Sequence, residues 1–130
     1  MRWLLDTQLL LWTAGVPERL PVSIRPILED RANILMFSAA SLWEVVIKRS
    51  LGRRDFQVDP HVLRRGLLDN GYQELDILGP HILRLDGLPM IHKDPFDRIL
   101  VAQAIVEGLT LVTTDTTLSQ YPGPILHVSS

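Results

Sequence analysis

Five carboxylates stand out in this chain for where they fall: Asp6, Glu44, Asp94, Asp97 and Asp115. Asp6 closes a short apolar run at residues 3–5, and Asp115 follows another at 109–113. Asp94 and Asp97 are three apart, hence on one face if they open a helix. Glu44 sits inside the stretch SLWEVVIK. Acids gathered at one place repel one another unless a cation settles them. With no Cys in the chain and no His pair at ligand spacing, hard oxygen donors point to Mg²⁺ or Mn²⁺ rather than zinc. Such ions keep waters that phosphate oxygens displace, and two of them about 4 Å apart clamp the attacking and leaving oxygens of a phosphodiester.

Taken singly, each acid has an ordinary structural job. Asp6 and Asp115 stand where a helix or turn begins and could be N-caps. Asp94 precedes Pro95, the signature of a helix start. Asp97 would face the helix dipole favourably, with Arg98 or Lys93 to neutralise it. Glu44 has Lys48 four residues on as an ion-pair partner. Only their joint placement argues for more, so the elements that carry them decide the matter.

The helix predicted over residues 94–107 organises the rest. From Phe96 on it reads FDRILVAQAIVE, apolar around most of its circumference, which marks a buried helix closed by Gly108. Apolar runs of strand length recur at 3–5, 34–37, 109–113 and 125–128, with a weaker alternating one at 72–77. Helices are expected between them: from about residue 7 to Gly15, over 23–31 with Pro26 in its first turn, over 39–51 behind Ser38, and over 60–68 behind Asp59. A short helix should begin at Gly79–Pro80, and 88–93 should be loop. Strands alternating with helices imply an α/β fold: a single compact three-layer domain over residues 1–130, with a central parallel sheet of about four to five strands flanked by helices. In such sheets functional groups gather beyond the carboxyl ends of the strands, which would bring acids from four separated stretches to one edge.

The bulk composition narrows the partners. The 130 residues suffice for one sizeable core, and 46% hydrophobic content argues against disorder. The net charge of −2 lacks the basic excess of a non-specific polyanion binder. Setting aside Asp6, Glu44, Asp97 and Asp115 leaves thirteen cations against eleven acids, +2, a remainder that accommodates a nucleic acid. The absence of Cys suits the cytoplasm. Asp6 interrupts the apolar start, which is expected to be neither a cleaved leader nor a membrane span. The basic cluster KRSLGRR fits a helix C-terminus, the alternative being a phosphate contact surface.

LLDTQLLLW, SLWEVVIK, HKDPFDRILVAQA and LVTTD, taken together and in this order, resemble a PIN-domain nuclease, and among these the VapC-type toxins of bacterial and archaeal toxin–antitoxin pairs. The resemblance spans nearly the whole chain. It implies a PIN-like parallel sheet and an endoribonuclease that uses Mg²⁺, with Mn²⁺ able to substitute, leaving a 5′-phosphate and a 3′-hydroxyl. Position by position it assigns the acidic quartet to Asp6, Glu44, Asp97 and Asp115, as metal ligands and catalytic groups, with Thr113 as the small hydroxyl residue before the last acid. Asp94 is an extra acid shared with the DPFDR-bearing branch, either a further metal ligand or only a helix cap. The resemblance also implies a homodimer, a small antitoxin partner, an RNA substrate and no membrane. Glu44, deep in its helix, is expected to orient water or complete a second site.

The remaining residues read more plainly. His92 is expected to be a loop histidine bonded locally rather than a general acid, Arg98 to pair with neighbouring acids, and Trp12 and Trp43 to make core or subunit contacts. The rival from another class is a catalytically inactive PIN-like module that binds RNA or protein and uses its acids structurally. A phosphotransfer or phosphatase site is disfavoured, because Asp6-Thr7-Gln8 lacks the second Asp of a D-x-D motif.

Overall fold

Strand β1, Arg2–Leu5, lies at the centre of the sheet, and its residues explain why. Leu4 and Leu5 are both fully buried although successive strand side chains point to opposite faces, so β1 must be covered on both sides. The computed structural model describes residues 1–54 and 56–129. It places β1 between β2 (Ile34–Ser38) and β4 (Thr110–Thr113), with β3 (Gln73–Leu75) and β5 (Ile125–His127) at the edges, in the order β3-β2-β1-β4-β5. Every pairing is parallel: Leu4 is in register with Met36 on one side and Leu111 on the other. The sheet is parallel as the alternating elements imply, with five strands, the upper end of the four to five expected.

Helices cover both faces. On one, Leu4, Met36 and Leu111 pack with Leu100, Val101 and Ala104 of α6, Pro95–Glu107. On the other, Trp3, Leu5, Phe37 and Val112 meet Leu9 and Leu10 of α1 (Thr7–Gly15), Val45 of α3 (Ala39–Ser50), and Leu63 and Leu67 of α4 (Pro60–Asp69). The two short helices are α2 (Arg25–Glu29) and α5 (Gly79–Arg84). Among the described residues no helix is long and apolar enough to cross a membrane.

Local chemistry sets the helix ends. Asp94 caps α6 by accepting from the Phe96 amide at 2.8 Å, and Pro95 takes its first position. Gly108 ends it at φ +67, a left-handed conformation that costs glycine nothing. Ser38 caps α3 and Asp59 caps α4 in the same way. The helix expected over 23–31 is shorter. A 3-10 turn at Val22–Ile24 leads into α2, which stops at Glu29 because Asp30 turns its carboxylate onto the Ala32 amide at 2.9 Å. The strand expected over 72–77 contracts to β3. The apolar ring of α6 is incomplete as burial: Ile99 to Ala104 are buried, but Val106 is exposed.

The chain runs β1, β2, β3 outward to one side, then returns to add β4 and β5 on the other. The strand order therefore reverses between β1 and β4, and a crevice opens beyond their carboxyl ends. Asp6 follows β1 directly, and Thr114 and Asp115 follow β4.

Candidate active site

The crevice is a pocket of about 390 Å³ lined by Asp6, Thr7, Gln8, Leu11, Glu44, Lys48, Arg53, Phe56, Asp94, Asp97, Thr114 and Asp115. All five acids singled out from the sequence thus face one cavity, drawn from the end of β1, the middle of α3, the first turn of α6 and the end of β4. A larger cavity of about 590 Å³ lies between α1, α2 and α4, but its walls are mainly apolar and its carboxylate, Asp59, is the α4 cap. The carboxylates gather in the smaller one.

Asp6 does two jobs at once. Its Oδ1 accepts from the Leu9 amide at 2.9 Å, capping α1, while its Oδ2 accepts from the Thr113 hydroxyl at 2.5 Å. Thr113 Oγ1 in turn accepts from the Asp115 amide at 2.9 Å, so one buried hydroxyl ties the ends of β1 and β4 together. Burial pushes the Asp6 carboxyl above the usual carboxylate range despite the bonds from Thr113 and Leu9.

Glu44 is also held at both oxygens. Lys48 Nζ donates to Oε2 at 2.7 Å, the i,i+4 pair expected from spacing, and Thr7 Oγ1 lies 2.7 Å from Oε1. A carboxylate only accepts, so the single Thr7 proton goes to Glu44, leaving Ser41, 2.9 Å from Thr7, to donate to it. Thr7 and Ser41 carry no sequence signal for this role, which depends on α1 and α3 meeting over the sheet.

Asp97 is an acid of this pocket raised into the neutral range. Its carboxyl is pushed up to about 7, first by burial and then by the charges of Asp94 and Glu44, with Asp6 adding to them. Opposing them is His92, whose Nε2 lies 3.2 Å from Asp97 Oδ2 and 3.1 Å from Asp115 Oδ2. Asp115 moves the other way: burial raises its pKa, but the Thr117 amide and His92 outweigh burial and leave it below the usual range.

One residue does more than expected and another departs from expectation. His92 does bond locally, accepting the Asp94 amide at Nδ1, but its other nitrogen reaches across to both acids. Arg98 does not turn to the neighbouring acids; it donates to the Pro89 carbonyl at 2.8 Å and to the Tyr121 hydroxyl at 3.0 Å. Trp12 packs against the core, whereas Trp43 is 58% exposed and meets Phe96 edge to face, with ring centroids 5.1 Å apart.

The donor set fits a hard divalent cation. The oxygens of Asp97 and Asp115 and His92 Nε2 lie within 4.8 Å of one another, and burial first, then the neighbouring acids, penalise the charged form of Asp97 in a way that a cation would offset. A half-buried carboxyl in a cleft, perturbed by burial and like charge, is a candidate functional group.

Several solved structures share the architecture. A chain of VapBC2 from Rickettsia felis, bound to a DNA fragment from their promoter, matches with a TM-score of 0.72 at 14% identity, covering 99% of this chain and 100% of that one. DNA-bound VapBC from Salmonella typhimurium matches with a TM-score of 0.70 at 18% identity, covering 98% of each chain. VapBC-1 from nontypeable Haemophilus influenzae matches with a TM-score of 0.59 at 19% identity, covering 92% of this chain and 91% of that one. At such identities the likeness is one of fold. A comparison with curated proteins yields no match. The PIN domain pattern, however, matches residues 3–124, nearly the whole sequence, and with the parallel sheet and its acidic crevice this establishes that the chain belongs to the PIN-domain family.

Proposed function

We propose that this protein is a metal-dependent endoribonuclease that hydrolyses RNA phosphodiester bonds, with residues 1–130 acting as one nuclease domain. The observation that carries the reading is the meeting of Asp6, Glu44, Asp94, Asp97 and Asp115 in one pocket at the strand-order reversal. Asp6, Asp97 and Asp115 would hold Mg²⁺, or Mn²⁺ in its place. The ion, when bound, supplies an acidified water as nucleophile and neutralises charge on the phosphoryl oxygens. Glu44, held at its two oxygens by Lys48 and Thr7, would orient the attacking water. Thr113 holds Asp6 and the Asp115 backbone in place. Asp94 caps α6 and adds negative charge beside Asp97, without being needed as a ligand.

The biological setting follows from the same reading. The fold is shared with chains of VapBC complexes, which supports a VapC-type toxin of the DPFDR-bearing branch, acting in the cytoplasm and restrained by a small antitoxin protein. Exposed Trp43, Val46 and Leu51 on and just after α3 supply apolar surface for a homodimer. The rival reading, an inactive RNA- or protein-binding module, draws on the capping bonds of Asp6 and Asp94; it leaves the charge on Asp97 without purpose.

Cleavage of total RNA separates the two. The enzyme reading expects cuts that need Mg²⁺, stop with EDTA and vanish in Asp6→Asn. Metal-independent binding of RNA without cleavage would establish the module instead.

A further inference from the structure

His92, Asp97 and Asp115 look at first like a three-donor metal site, with one nitrogen and two oxygens within 4.8 Å of one another. The hydrogen bond on the far side of the ring argues otherwise. The Asp94 backbone N–H can only donate, and it points at His92 Nδ1 from 3.1 Å, so that nitrogen must present its lone pair. In the neutral imidazole the proton then resides on Nε2, the atom facing both carboxylates. A ring wired this way offers the pocket an N–H and no lone pair.

The backbone that carries the ring is clamped. The Tyr121 hydroxyl accepts from the His92 amide at 2.8 Å and from Arg98 Nη1 at 3.0 Å, and donates to the His92 carbonyl at 3.2 Å. Its one proton and two lone pairs are all used. Arg98 also holds the Pro89 carbonyl, which fastens the loop on the other side of His92 to the first turn of α6. This is the work Arg98 does instead of neutralising Asp97.

From this we infer that His92 is a positioning residue, an Nε2–H donor that bridges Asp97 and Asp115 and sets their spacing, while the cation is left to oxygen donors alone. The inference deepens the metal-dependent reading above and rests on it for its purpose, but its central claim is testable in metal-free protein. A hard, all-oxygen site suits Mg²⁺ or Mn²⁺, whereas an imidazole ligand would favour softer metals.

Long-range proton–nitrogen correlation NMR on the metal-free protein at about pH 8, above the ordinary imidazole range, should show His92 protonated at Nε2 and bare at Nδ1. The opposite tautomer overturns the inference. Mn²⁺ added to the wild type should show no nitrogen hyperfine coupling by EPR; a coupling that disappears in His92→Ala overturns it as well. His92→Ala should weaken Mn²⁺ binding by calorimetry about tenfold, as loss of a donor to ligating carboxylates does, and His92→Gln, which keeps an N–H donor, should recover part of it. Unchanged affinity in a folded His92→Ala would remove the positioning role. Failure of the wild type to bind Mn²⁺ at all would instead sink the nuclease reading, and the tautomer would then decide the claim about His92 by itself.

Discussion

Helix α6 carries two polar clusters, one buried and one half-buried, and they are opposites. Toward its C-terminal end, fully buried Gln103 accepts from the Ser38 hydroxyl at 2.7 Å and donates to the Asp76 carbonyl at 3.2 Å. Beside it, buried His81 accepts the Leu78 amide at Nδ1 and meets Glu107 at Nε2, 2.8 Å away. Donors and acceptors there match, and the acid faces an imidazole. In the first turn of the same helix, Asp97 faces Asp94, Glu44 and Asp6, with the His92 ring set against them. Burial alone does not distinguish a structural polar cluster from a functional one. Unbalanced charge does, because a fold that tolerates mutual repulsion forgoes stability it could have had.

The comparison is most severely tested at its acidic end. Asp97→Asn should lower RNA cleavage by about a thousandfold, the scale on which losing a group that stabilises transition-state charge is felt, while far-UV circular dichroism stays that of the wild type. An active Asp97→Asn would mean the cluster is not the site. Next in size is the neutral cluster. Gln103→Ala should cost about 2–3 kcal/mol in denaturant unfolding, because it leaves the buried Ser38 hydroxyl without its acceptor and removes the bond to the Asp76 carbonyl. Mn²⁺ affinity should remain that of the wild type.

The third test uses pH and has a definite sign. The Asp97 carboxyl titrates near 7 in the folded protein and at its ordinary 3.8 in the unfolded chain, so folding favours the protonated form. Its contribution to stability is complete below the unfolded value and is lost as pH rises through about 7. Metal-free protein should therefore show a falling melting temperature over that window. Asp97→Asn should flatten the slope, as should saturating Mg²⁺. A slope that Asp97→Asn leaves intact would place the unbalanced charge elsewhere. The smallest effect belongs to Lys48→Ala. Its ion pair with Glu44 is partly exposed, so stability should change by about 0.5 kcal/mol or less. A larger loss would mean that Glu44 belongs with the balanced cluster rather than the acidic one.

Much of this was legible in the sequence because it is local. Asp94–Pro95, Asp59–Pro60 and Ser38 announce their helices, since a cap acts on amides two or three residues away. The apolar runs that became β1, β2 and β4 needed only their own composition to be recognised as strands buried on both faces. That Asp6 and Asp115 lie at one edge followed from a general rule of parallel sheets. What the acids do to one another was beyond such reading. Ser38 reaches Gln103 across 65 positions, and His92 reaches Asp115 across 23. Those distances close only after the sheet has ordered its strands and packed α6 against it. Arg98 shows the limit plainly: beside Asp97 in the chain it suggests an ion pair, yet the α6 geometry carries its guanidinium to Tyr121 and the loop carbonyls instead. Residue types and periodicity determined the elements and the acids they carry. Only the tertiary structure decided which charges stay unopposed, because desolvation and Coulomb energy depend on distances in space that sequence separation does not encode.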